Sequence, residues 1–131
     1  MRRWLARLLG NRGERAAARH LRRKGYRILA RQYRSRWGEI DLVAIDGETV
    51  VFVEVKTRRS HAAGTPAEAV TPAKQAQLTR LALAFLKQYR LLERRARFDV
   101  VAITWPEGAR QPEIQHYPNA FESTGEGQMF C

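Results

Sequence analysis

Residues 38–56 read GEIDLVAIDGETVVFVEVK, two runs rich in Val, Ile and Phe that meet at Asp46-Gly47. Such side chains suit a pleated, half-buried surface, and Asp-Gly between alternating apolar runs is the strongest short-range hairpin signal. The stretch therefore predicts an antiparallel pair, Glu39–Ile45 and Thr49–Lys56. With Asp46-Gly47 as a two-residue loop, Ile45 pairs with Glu48 and Asp41 falls opposite Phe52. Asp41 is then diagonal to Glu54 on one face, Cβ atoms roughly 7–8 Å apart, and Lys56 follows on that face. A three-residue loop with a bulge would flip the parity and separate them.

Charged groups inside runs as apolar as Leu42–Ile45 and Val50–Val55 are expensive unless paired or metal-bound. Two carboxylates at that separation can meet at one divalent cation, and an all-oxygen site suits Mg²⁺ or Mn²⁺. The lysine beside them would lower the cost of placing a phosphate and help to orient or deprotonate a water. The competing readings are a structural Glu54–Lys56 or Asp41–Lys56 ion pair, or an edge strand with one wet face.

Upstream, Ala16, Ala17, Ala18 and Leu21 give a helix over Arg12–Lys24 its apolar stripe, and Gly25 closes it. A strand over Tyr26–Tyr33 follows. Downstream, Arg58–Thr65 reads as a loop, and Thr71-Pro72 as an N-cap with a proline in the first turn. From there Leu78, Leu81, Ala82, Phe85, Leu86 and Tyr89 recur at helical spacing in a helix running to about Arg94. Phe98–Thr104 is a buried strand and Glu113–Tyr117 a shorter one. The order α-β-β-β-α-β-β predicts an α/β fold. An antiparallel meander precedes a parallel crossover, so a mixed central sheet carries helices on both faces. Residues 1–11 form a basic arm, 12–121 one domain, and 122–131 a flexible tail.

The 131 residues suffice for one core and are too few for two. The net charge of +11 is local: thirteen Lys and Arg precede Trp37 against the single acid Glu14. A field so lopsided favours a polyanion, although an Arg-rich helix that is merely solvated has the same composition. One cysteine, Cys131, excludes an internal disulfide framework and points to the cytosol. His20, His61 and His116 are too scattered for a zinc site, and no glycine-rich nucleotide loop is present. No apolar run approaches the ~20 residues of a membrane span. Trp4, Leu5, Leu8 and Leu9 share a helical face, read as packing on the domain.

The motif from Gly38 to Asp46, followed by Val51-Phe-Val-Glu-Val-Lys-Thr-Arg58, resembles the bacterial YraN-like family of uncharacterised proteins. That family is similar to the PD-(D/E)XK nuclease superfamily, near the Holliday junction resolvases. The likeness runs in order through Gly13-Glu14, Gly25–Leu29, Ala69–Gln75, Arg97–Val100 and His116…Asn119-Ala-Phe121. It implies a restriction-endonuclease-like core and metal-assisted phosphodiester hydrolysis. By the same resemblance Asp41, Glu54 and Glu14 would be metal-binding carboxylates, the Val55 carbonyl a further ligand, and Lys56 the catalytic lysine. Ile40, Gln32 and Ala63 depart from the pattern, where proline, asparagine and an aromatic are expected.

Further candidates are Lys74 and Gln75, in the first turn after the Thr71 cap, where backbone N–H groups favour anions. Arg58 and Arg59 would flank a phosphate path, and Arg12, Arg15, Arg19, Arg22, Arg23 and Lys24 would add salt-dependent affinity. Trp37 is a base-stacking or packing residue, Glu39 a supporting partner of the site, and Asp99 and His116 are structural. The expectation is a cytoplasmic Mg²⁺- or Mn²⁺-dependent nuclease acting on DNA rather than RNA, branched substrates included, with a homodimer one way to address two strands. The alternative is a nucleic-acid-binding protein that keeps the fold without turnover. A third reading is an accessory subunit bound through the Trp4/Leu5/Leu8 face.

Overall fold

The computed structural model describes residues 2–60 and 70–123, with side chains from Asn11 onward. Its elements are α1 (Arg2–Arg23), β1 (Arg27–Ser35), β2 (Gly38–Asp46), β3 (Thr49–Arg58), α2 (Pro72–Gln88), β4 (Ala96–Thr104) and β5 (Glu113–Phe121). The strands form one sheet in the order β1-β2-β3-β4-β5. All neighbours are antiparallel except β3 and β4, which run parallel on either side of the α2 crossover. The expected element order and mixed sheet are both present.

Each face of the sheet carries one helix. Ile40, Val43, Val50, Phe52, Phe98 and Val100 pack with Leu78, Leu81, Ala82, Phe85 and Leu86 of α2. Leu42, Ala44, Val51, Val53, Val101 and Ile103 pack with Ala16, Ala17, Ala18 and Leu21 of α1. Each large apolar side chain so buried contributes about 1.5–3 kcal/mol, which ties both helices to the central strands.

Three boundaries differ from expectation by more than two residues. Helix α1 begins at Arg2 rather than Arg12: Leu, Ala and Arg are strong helix formers, and Gly10 costs only about 1 kcal/mol. Its C-terminus closes on Gly25 as expected, at φ 95°. Tyr26 N–H donates to the Leu21 carbonyl at 3.0 Å and Gly25 N–H to Arg22 at 2.9 Å, the paired bonds of a Schellman cap. Helix α2 stops at Gln88, short of Arg94. The same cap recurs there, Leu91 N–H to Leu86 at 2.8 Å and Arg90 N–H to Lys87 at 3.3 Å. Arg90, at φ 57°, takes the place usually held by glycine. Strand β5 runs on past Tyr117 to Phe121; it lies at the sheet edge, where Pro118 removes no ladder bond from a central strand.

The Trp4/Leu5/Leu8/Leu9 face, the loop positions from His61 to Ala69 and the tail from residue 124 lie outside the described side chains.

Candidate metal centre

Strands β2 and β3 pair only from Asp46↔Thr49 to Leu42↔Val53. Beyond that point β2 continues along β1 as far as Gly38, and β3 along β4 as far as Arg58. The sheet therefore opens as a fork between Asp41 and Glu54. The expected register needs correction. The two loop residues are Gly47 and Glu48, with Gly47 at φ 61°, so Asp46 remains in the ladder and the pairing moves by two residues. Asp41 is level with Glu54, not Phe52. A shift of two keeps the side-chain parity, so the constellation survives and tightens.

Asp41 stands at the tip of the fork and accepts the Val55 N–H on Oδ2 at 2.8 Å. Its side chain thus takes over a backbone donor where the ladder ends. Glu54 is buried, with Lys56 Nζ 3.5 Å and Lys74 Nζ 3.9 Å from Oε2. Helix α1 adds Glu14, also buried, whose Oε1 has no hydrogen-bond partner among the described residues. The close approach of α1 to β3 depends on Gly13, because a Cβ there would collide with Thr57 Oγ1.

The resulting cleft of about 580 Å³ is lined by Glu14, Glu39, Asp41, Glu54, Val55 and Lys74, with Asn11, Gln32 and Arg34. One carboxylate oxygen each from Glu14, Glu39 and Asp41 lies within 4.8 Å of the other two. Glu39 is thus nearer the centre than a supporting role required, and it also pairs with Arg34 at 3.3 Å. Asn11 and Arg34 are cleft residues that the sequence did not single out, and Gln32, marked there only as a departure from the family pattern, is a third. Gln32 donates to Asn11 Oδ1 at 3.0 Å and sits in β1 at φ 53°. A non-glycine residue in that region stores strain, and such residues cluster at functional sites.

Crowding of acids sets the electrostatics. Burial, and then the neighbouring Glu54 carboxylate, push the Asp41 carboxyl up to about 8, against the lowering effect of the Val55 N–H. Burial likewise raises Glu14, opposed by its hydrogen bond with Gln32 and reinforced by Glu39. A divalent cation would relieve both, and the Glu14 oxygen left without a partner among the described residues is a ready donor for it.

Lys74 reaches the cleft from the first turn of α2, where its N–H donates to the Thr71 cap. Gln75 does not: its amide donates to the Val70 carbonyl at 2.9 Å. Arg58 turns toward β4, donating to Thr104 Oγ1 at 3.3 Å. Trp37 is partly exposed at the β1–β2 turn with the Arg36 guanidinium over its ring at 4.5 Å. Arg12, Arg15 and Arg19 lie on another flank of α1, in a separate groove.

Asp99 and His116 are structural, as expected. Asp99 is fully buried and binds Arg97 Nε at 2.9 Å, His116 Nε2 at 2.7 Å and the Asn119 N–H at 2.9 Å.

A family model described as "Uncharacterised protein family UPF0102" matches residues 13–103, a span that contains every carboxylate of the cleft. Similar proteins bear the same family name. That of Geobacter metallireducens is 52% identical over 114 residues, covering 87% of this chain and 92% of its own. That of Geobacter sulfurreducens is 53% identical over 117 residues, covering 88% and 89%. A third, from Rhodococcus opacus, is 50% identical over 113 residues, covering 86% and 95%.

Proposed function

The chain belongs to the UPF0102 family, and from that starting point we propose that it is a Mg²⁺- or Mn²⁺-dependent nuclease that hydrolyses phosphodiester bonds in DNA. The observation that carries the reading is the Glu14 carboxylate, one buried oxygen of which has no partner among the described residues, in the lining of a cleft that already holds Glu39, Asp41 and Glu54. A structural salt-bridge network has no use for an excess of buried carboxylates; a site that receives a cation has.

Glu14, Asp41 and Glu54 would hold the metal with the Val55 carbonyl, and Glu39 is a further donor. A bound Mg²⁺ or Mn²⁺ supplies Lewis acidity at the phosphoryl oxygen and lowers the pKa of a water. The protein's own part follows from its lysines. Lys56, held beside Glu54, would orient the attacking water by donating a hydrogen bond to it and, once neutral, take its proton. Lys74, on the α2 side of the same carboxylate, offsets the charge of the phosphate. The basic surface of α1 supplies sequence-independent affinity. Among the described residues no helix is long and apolar enough to cross a membrane, and the proposed place of action is the cytoplasm.

The test is cleavage of linear duplex, single-stranded, flapped and four-way-junction DNA and of RNA, in EDTA, Mg²⁺ or Mn²⁺. Asp41→Ala serves as the contamination control. Metal-dependent cutting lost in that variant supports the proposal. Tight binding with no cutting on any substrate replaces it with the non-catalytic DNA-binding reading.

A further inference from the structure

Helix α1 has cleft residues on one flank and a different surface on the other. Asn11 and Glu14 face the fork beside β1, β2 and β3. Arg12, Arg15 and Arg19 border a second groove of about 260 Å³, closed on the β4–β5 side by Trp105, Arg110 and Gln111. Four guanidinium groups thus face one groove whose lining, among the described residues, contains no acid. Among the described residues none of the four belongs to a salt bridge.

The groove is also built rather than merely charged. Arg12 Cζ lies 4.0 Å from the centre of the Trp105 ring. The indole N–H donates to the Ala109 carbonyl at 2.9 Å, and the Trp105 backbone N–H to the Arg58 carbonyl at 2.7 Å. Those bonds fix the ring and the turn that carries Arg110. Positions 12, 15 and 19 line one helix face over about 10.5 Å at 1.5 Å per residue. That span equals the rise of about three nucleotides in one strand of duplex DNA.

We infer that this groove is a second nucleic-acid site, a backbone clamp that holds the DNA strand outside the metal cleft with α1 as the divider between them. Planar guanidinium groups bind phosphate oxygens in a bidentate fork, and the outer face of the Arg12 guanidinium, held over Trp105, is a platform for a base. An acidic peptide would use the charges and leave the platform idle. The assignment rests on the nucleic-acid part of the proposed function and is independent of whether the cleft turns substrate over.

The experiment measures binding of a labelled single strand and of a labelled duplex by fluorescence anisotropy. It is done in EDTA, so that no cleavage intrudes, and at salt from about 50 to 200 mM. The protein with Arg15→Ala, Arg19→Ala and Arg110→Ala together is expected to bind duplex at least tenfold more weakly. Its log–log salt slope should be smaller by about two to three. Arg110→Gln alone, on an exposed turn away from the core, should show a partial loss even where the triple variant folds poorly. Unchanged affinity and slope in both variants would overturn the clamp. So would polyglutamate that competes as well as DNA of equal charge, since that marks a general anion surface. Loss of cleavage on all substrates with arginine-dependent binding intact would sink the nuclease reading and leave the clamp standing.

Discussion

The Val55 N–H donates to Asp41 Oδ2 at 2.8 Å, one residue beyond the last β2–β3 pair, Leu42↔Val53, on β2 and two beyond it on β3. The bond ties the two strands together where the ladder has ended. It therefore fixes the width of the fork from which Asp41 and Glu54 emerge. A side chain of similar shape that cannot ionise can still accept this bond, so geometry and charge at position 41 can be separated by substitution.

That separation gives a pH prediction. In the folded chain, burial and the neighbouring Glu54 carboxylate push the Asp41 carboxyl up to about 8, against about 3.9 unfolded. Between those values the native state holds a proton that the unfolded chain has released, so this group makes stability fall as pH rises, levelling off above about 8. In EDTA, the Tm of the wild type should decline across that window relative to Asp41→Asn. Millimolar Mn²⁺ should raise the wild-type Tm most at the alkaline end. Thermal unfolding followed by circular dichroism checks both, and parallel curves for the two proteins would contradict the crowded-acid account.

Gly13 lets α1 sit against Thr57 of β3, and a Cβ there would strike the Thr57 hydroxyl. Alanine is otherwise the better helix residue, by about 1 kcal/mol. Gly13→Ala should nevertheless lower stability by about 1–3 kcal/mol through overpacking and displace the adjacent Glu14 from the cleft. Adding Thr57→Ala removes the colliding oxygen and should restore most of the loss. Urea denaturation of the two singles and the double gives the coupling directly; additive losses would show that the contact is not the cause.

The frame of the fold was legible because its signals are local. Val-rich runs, the Thr71-Pro72 cap and Gly25 each act within a few residues of themselves. The end of α2 was not legible, since Arg90 takes a left-handed conformation that its sequence does not advertise. The register was not legible, because Asp46-Gly47 and Gly47-Glu48 both offer glycine to the turn, and only the structure shows that Asp46 stays paired with Thr49. Asp41, Glu54 and Lys56 could still be grouped, since a shift of two residues preserves parity; Glu14 joined them only through the family resemblance. Gln32 and Asn11 carried no such signal: their place in the cleft depends on a strained β1 residue meeting α1 across 21 positions of sequence.

Lys56 should separate chemistry from metal binding. It is partly exposed and touches Glu54 at 3.5 Å, while Lys74 contacts the same carboxylate. Lys56→Met is therefore expected to lower metal-dependent cleavage by about 10²-fold or more, the scale of a lost proton-transfer group. The stabilisation by Mn²⁺ should persist. Asp41→Ala should lose both. A Lys56→Met protein that cuts at the wild-type rate would remove the lysine from the proposed mechanism.

The buried cluster around Asp99 should dominate the response to acid. Hydrogen bonds from His116, Arg97 and the Asn119 N–H hold its carboxyl below the usual range, outweighing the burial that would raise it. A depressed carboxyl contributes stability that is complete above its unfolded pKa and is lost as pH falls through the folded one. Asp99→Asn removes the charge but keeps the shape, leaving the guanidinium of Arg97 with Asp46 as its remaining carboxylate partner at 3.1 Å. At neutral pH the variant should lose about 3 kcal/mol or more, the range for breaking one side of a buried pair. At acid pH, where the wild type also gives up the charge, the difference should shrink. Urea unfolding of both proteins at neutral and acid pH measures this, and a penalty that does not change with pH would mean that packing, not charge, is what Asp99 supplies.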